Sequence, residues 1–274
     1  MRIRFFKKNK MAAAAASIIT LLILTALLAP AIAPDDPNAI DLDQVKQPPG
    51  RRHLFGTDEK GRDIFSRVVY GARISLLIGC LATALALVIG TSAGLAAGYF
   101  GGTVDGALQM ITDITLAFPA LLLAIGITVV LSPGFLTVLI ALSLVGWASI
   151  ARLVRGEVFT VKEREYVEAG RAAGSSHLRI LLRHILPNCL PIILIAAGLK
   201  IGAFILAEAA LSFLDLGVRP PAATWGFMIS AGREYLKTAP WIALFPGLAL
   251  ALTVMAFNIM GDAARDYLDP KVKL

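Results

Sequence analysis

The feature that most constrains this chain is a series of long, nearly uncharged apolar blocks. Each is about the length a helix needs to cross a bilayer. They run over Met11–Ala33, Ile74–Ala97, Met110–Leu131, Phe135–Ala151, Leu190–Leu214 and Trp241–Met260. The chain is 57% hydrophobic and 16% charged, against about 25% charged for a soluble domain. A water-soluble fold would lack polar side chains to cover itself. The expected fold class is therefore an all-α integral membrane protein with six transmembrane helices.

The formal charge of +7 does not point to nucleic acid. Aromatic residues are sparse, and no basic stripe is interleaved with stacking rings. Basic residues instead collect where membrane proteins place them, on the cytoplasmic side. Residues 1–10 form a basic arm without an acid, so the N-terminus is expected in the cytoplasm. The following run, 11–33, ends in Ala31-Ile32-Ala33, which resembles a signal cleavage site. Its apolar core exceeds the usual signal h-region, so it reads as a retained first span. Fifteen of the 26 Lys/Arg fall inside under this arrangement, and both termini are cytoplasmic.

Residues 34–73 form a polar external segment, whose second half reads as a short amphipathic helix lying along the membrane. Residues 74–262 form the five-helix core, and 263–274 the cytoplasmic tail. Gly90, Gly94 and Gly98 make a doubled G-x-x-x-G, a flat groove for a neighbouring helix. Gly98–Gln109 reads as a Gly-rich turn. It is not a phosphate loop, because no Lys-Ser/Thr follows the glycines. Pro119 is expected to kink the third span.

Cys80 and Cys189 have no partners at metal-ligand spacing and read as buried filler. His53, His177 and His184 are scattered and read as surface polar residues. No metal site, resident cofactor or catalytic group is expected.

Residues 156–188 are the exception to the apolar pattern. Thr160 and Glu163 have capping-box spacing. A helix through "VKEREYVEAGRAA" can pair Glu168 with Arg164 and with Arg171. Gly174 ends it, and Ser175 or Ser176 can cap a second, basic amphipathic helix that Pro187 stops. One reading is a loop lying on lipid headgroups. The other is a docking element, since Ala169, Gly170, Ala172, Ala173 and Gly174 present low relief to a partner.

Here a resemblance enters. "EAGRAAG" followed by "HILP" resembles the EAA loop of permease subunits of ABC importers, with Gly170 and His184 as departures from its pattern. "LFGTDEKGRDIFSRVVYGARISL", "EAALSFLDLGVRPPAATWG" and "FPGLALALTVMAFNIMGDAARDYLDPK" extend the resemblance from Leu54 onward. They are similar to the C-type subunit of the dipeptide/oligopeptide/nickel permease group, with Asp215 a local departure from its usual glycine. The resemblance implies a type I ABC importer permease-like fold in a bacterial inner membrane. It implies that Glu168, Ala169, Gly170, Arg171, Gly174 and Ser175 form a cytoplasmic coupling helix seated on an ATPase. It also implies partners: a homologous second permease, two ATP-binding subunits and an external substrate-binding protein. ATP and magnesium belong to the ATPases, because this chain has no G-x-x-x-x-G-K-[ST].

Charges inside spans are costly and are functional candidates by default. Lys200 is expected to line the translocation path, and Glu208 to form a gate or an interhelical contact. Asp113 reads as an interhelical hydrogen-bonder, carried with them as a candidate of the path or gate. The leading function is import of di- or oligopeptides, with nickel or glutathione as alternatives in the same class. A secondary transporter driven by an ion gradient is the reading from another class, but no internal repeat supports it.

Overall fold

The computed structural model describes residues 9–268. Residues 1–8 of the expected basic arm and 269–274 of the expected tail lie outside the described residues. Among the described residues the regular structure is all helical, without a named strand.

Asn9 caps α1 (Lys10–Leu27), accepting from the Ala12 N–H at 3.0 Å. A one-turn helix, α2 (Ala29–Ile32), follows. α3 (Ile64–Phe100) is a single helix of 37 residues. The expected surface helix before the second span is thus the first turns of that span. Asp63 explains this: its carboxylate accepts from the Ser66 N–H at 2.7 Å and starts the helix there, and nothing between Arg73 and Ile74 breaks it.

The expected Gly-rich turn shrinks to Gly101 and Gly102, both at positive φ. α4 (Gly102–Ala117) and α5 (Ala120–Leu131) then form one apolar pair bent by 91° at Phe118-Pro119. Pro119 breaks the helix where a kink was expected. Its ring also drives Phe118 to extended backbone, with ψ 139°. α6 (Phe135–Val161) runs ten residues beyond the expected end of its span.

α7 (Glu165–Ala172) and α8 (His177–Phe213) follow, the latter containing a π turn at Leu181–Ile185. α9 (Trp225–Gly232) and α10 (Trp241–Leu268) complete the bundle. Five helices are long and apolar enough to cross a membrane, six if the bent α4–α5 pair counts as one span.

The G-x-x-x-G groove of α3 is filled by α6. A Cβ added at Gly90 would stand 2.6 Å from the Trp147 carbonyl, and one at Gly94 2.6 Å from that of Ala151. The two backbones touch because those side chains are missing. Gly198 and Gly202 of α8 do the same against Gly261 and Phe257 of α10. The main core forms around these contacts, with Ile78, Leu142, Ile150, Val154, Val158 and Leu211 fully or nearly fully buried. Leu122, Val130 and Leu136, by contrast, are well exposed. In a membrane protein such a surface meets lipid or another chain.

One end of the bundle is closed by residues 34–63 and 215–240. Trp241 Nε1 donates to the Thr57 carbonyl at 3.2 Å, and Trp225 Nε1 to that of Val68 at 3.0 Å. Arg67 is buried and donates to the Pro37 carbonyl at 2.7 Å. At this end, His53 donates or accepts at 2.9 Å with Asp63, within a group that includes Asp35. His53 is therefore largely buried beside two acids, against the expected surface position.

Candidate coupling segment and transport groove

At the opposite end, α6 stops at Val161 and the chain turns through Lys162 to Arg164. α7 begins at Glu165 behind an extended Arg164, without a side-chain cap. The expected Thr160–Glu163 capping box does not form, because Thr160 still belongs to α6. α7 is fixed from beneath by Val167, fully buried among Val161, Ile180 and Ile185. Its other face is open: Glu168, Ala169, Arg171, Ala173 and Gly174 are exposed, and Gly170 and Ser175 are half-buried. Among the described residues Glu168 enters neither expected pair with Arg164 or Arg171. Its carboxylate remains exposed at the surface.

Gly174 ends the segment at φ +74°, and Ser175 N–H closes the turn on the Gly170 carbonyl at 3.1 Å. Ser176 then caps α8, accepting from the Arg179 N–H at 3.4 Å. The expected stop at Pro187 does not occur. α8 continues because the π turn ahead of the proline shifts the ladder, with Leu186 N–H bonding the Leu181 carbonyl. Asn188 Nδ2 adds a bond to the His184 carbonyl at 2.6 Å.

Tyr99, which the sequence reading passed over, and His177, which it read as a surface polar residue, tie the segment to the bundle. Tyr99, one residue before the end of α3, bonds through its hydroxyl to His177 Nδ1 at 2.8 Å. The Arg171 guanidinium lies 5.3 Å from the centre of the same ring. Tyr99 thus bridges both sides of the Gly174 break. Lys162 adds a third tie, donating to the Gly98 carbonyl at 3.1 Å. The only advance signal was Tyr99's place beside the glycine stripe. His177 carries no spacing motif at all.

The three charged candidates of the spans do not converge. Lys200 lines a groove of about 950 Å³ between α6, α8 and the end of α10. Glu208, two turns further along α8, is sealed from solvent and accepts from Ser212 Oγ at 2.7 Å. Asp113 is exposed on α4 and pairs with Arg152 of α6 at 2.5 Å. Beside it Asp105 holds Arg155 in a two-pronged pair at 2.5 and 2.6 Å. These pairs staple the bent helix pair to α6. Of the cysteines, Cys189 is buried, but Cys80 is exposed on the outer face of α3, contrary to its expected burial.

Comparison with known proteins bears on the whole arrangement. Residues 66–274 match the family described as "Binding-protein-dependent transport system inner membrane component", and residues 2–49 match "N-terminal TM domain of oligopeptide transport permease C". The dipeptide transport system permease protein DppC of Alkalihalophilus pseudofirmus is 45% identical over 97% of this chain and 88% of its own length. The glutathione transport system permease protein GsiD of Escherichia coli is 45% identical over 98% of this chain and 89% of its own. Among solved structures, the inward-facing MetNI methionine ABC transporter superposes with a TM-score of 0.60. It is 20% identical and covers 75% of this chain and 98% of that one, which is a likeness of fold.

Proposed function

The chain belongs to the family of inner-membrane components of binding-protein-dependent transport systems, and from that premise we propose that it is one of two permease chains in an ATP-driven importer of short peptides. It is a multi-pass protein of the inner membrane and a transport subunit. The observation that carries the reading is the coupling end. α7 is an exposed, low-relief helix braced on Val167, and it leads across the Gly174 turn into α8, a 37-residue helix of the core. A free-standing channel or scaffold has no use for such a segment.

In this reading α7 docks on a separate ATPase through Glu168, Ala169, Gly170, Arg171, Gly174 and Ser175. Both termini lie on that side, in the cytoplasm. ATP and magnesium are held by the ATPase pair. A homologous permease completes the path, Lys200 lines it, and Glu208 and Asp113 serve as gate or interhelical contacts. A substrate-binding protein delivers cargo at the end closed by residues 34–63. Peptide as cargo is supported by the dipeptide permease relative. Glutathione, itself a peptide derivative, is the second reading, supported by the glutathione permease relative.

The test is purification from the native membrane followed by reconstitution. A complex containing two ATPases and a second permease, importing peptide only with ATP and the binding protein, is the expected result. A solitary chain that moves substrate on a proton gradient would overturn the proposal.

A further inference from the structure

The groove beside α8 has an uneven distribution of charge. Asn188, Glu157 and Arg265 stand at its coupling end, whereas Lys200 stands deep within it among Ile195, Ala203 and their apolar neighbours. Asn188 and Lys200 are twelve residues apart on one helix, or about 18 Å at the α-helical rise. Lys200 is half-buried and has no ion-pair or hydrogen-bond partner among the described residues. Its Nζ lies 5.8 Å from the centre of the Phe204 ring.

An ammonium held in a span without a counter-charge is costly, and it persists where an anion comes to meet it. The groove can admit one. Its volume suits a small molecule, and an ammonium as deep in the span as that of Lys200 is costly on a surface given over to lipid. From this geometry we infer that Lys200 is the subsite for the carboxylate of the passing substrate. It holds the C-terminus of a short peptide within the path by a charge-assisted hydrogen bond. The apolar walls on either side contact whatever side chains the peptide carries and discriminate little among them. This inference rests on the reading of the chain as a peptide permease.

The experiment uses the complete importer in vesicles, with trialanine and trialanine amide as probes. Each is supplied at a concentration that loads the binding protein to the same occupancy, set by titrating that protein alone. Wild type should import trialanine about tenfold faster than the amide, the discrimination one charge-assisted hydrogen bond supplies. Lys200→Arg should keep the ratio. Lys200→Met, which removes the unpaired charge and keeps the length, should bring it to about one.

An unchanged ratio in Lys200→Met would overturn the inference while leaving peptide import standing. So would a Lys200→Met defect that strikes both probes equally and vanishes in vesicles of phosphatidylcholine alone, which would assign the anion to an acidic lipid headgroup. Failure of wild type to import either probe would sink the peptide reading and this inference with it.

Discussion

Gly170 and His184 are the two positions where the docking segment leaves its family's sequence pattern, and in the fold they face each other. A Cβ added at Gly170 would meet the His184 ring at 3.7 Å, an ordinary contact. The pair reads as a local exchange of bulk: the imidazole stands next to the place of the missing methyl. Gly170→Ala should therefore be tolerated, and should raise stability by up to about 1 kcal/mol through helix propensity. Gly174→Ala should act in the opposite direction. Nothing lies within 4 Å of its added Cβ, so the cost is that of φ +74° alone, about 1 kcal/mol. Gly174→Asn should recover part of it. Thermal unfolding of the detergent-solubilised complex checks all three. If Gly174→Ala and Gly174→Asn were equally stable, the left-handed turn would be wrong.

At the scale of elements, much was legible because bilayer physics is simple. Apolar length marked the spans, and four-residue glycine spacing marked a helix contact. The spacing could not say which helix would fill the groove, since G-x-x-x-G encodes closeness and carries no partner identity. α6 fills it, and the test is direct. A side chain at Gly94 collides with the backbone of Ala151, which cannot rotate away. Gly94→Val should cost about 1–3 kcal/mol or more, read as loss of assembled complex, whereas Gly126→Val in open space should not.

Helix ends were less legible. Pro187 has the local chemistry of a stop, and a π turn that starts four residues into α8 lets the helix pass it. That turn depends on tertiary packing of Ile180 and Ile185, which lies beyond a local pattern. The Tyr99–His177 bond was invisible for the same reason, joining residues 78 apart. Tyr99→Phe should remove about 1 kcal/mol and speed amide hydrogen exchange across 165–177. Unchanged exchange there would mean that the tie holds nothing in place.

For the whole molecule, the decisive geometry is continuity. α8 begins beside the docking helix, carries Lys200 into the groove and buries Glu208 near its far end, all on one 37-residue helix. Gly198 and Gly202 seat it on α10, while Phe204 and Leu211 lock it into the core with α3 and α6. On the coupling role proposed for α7, a push there passes the Gly174 turn into α8 and so reaches the groove, with Tyr99 sharing the load with α3. The contact that receives the push should be separable from the body that transmits it. Glu168 is suited to show this, because it is exposed and makes no ion pair within the described chain, so its loss costs the fold nothing. In the assembled importer, Glu168→Arg should leave thermal stability unchanged. It should raise the ATP hydrolysed per peptide imported by about tenfold, the effect of losing one charged contact at an interface. Parallel assays of ATP hydrolysis and uptake in the same vesicles give that ratio. If both rates fell together while the complex stayed intact, Glu168 would serve assembly or catalysis by the partner, and force would enter the permease elsewhere.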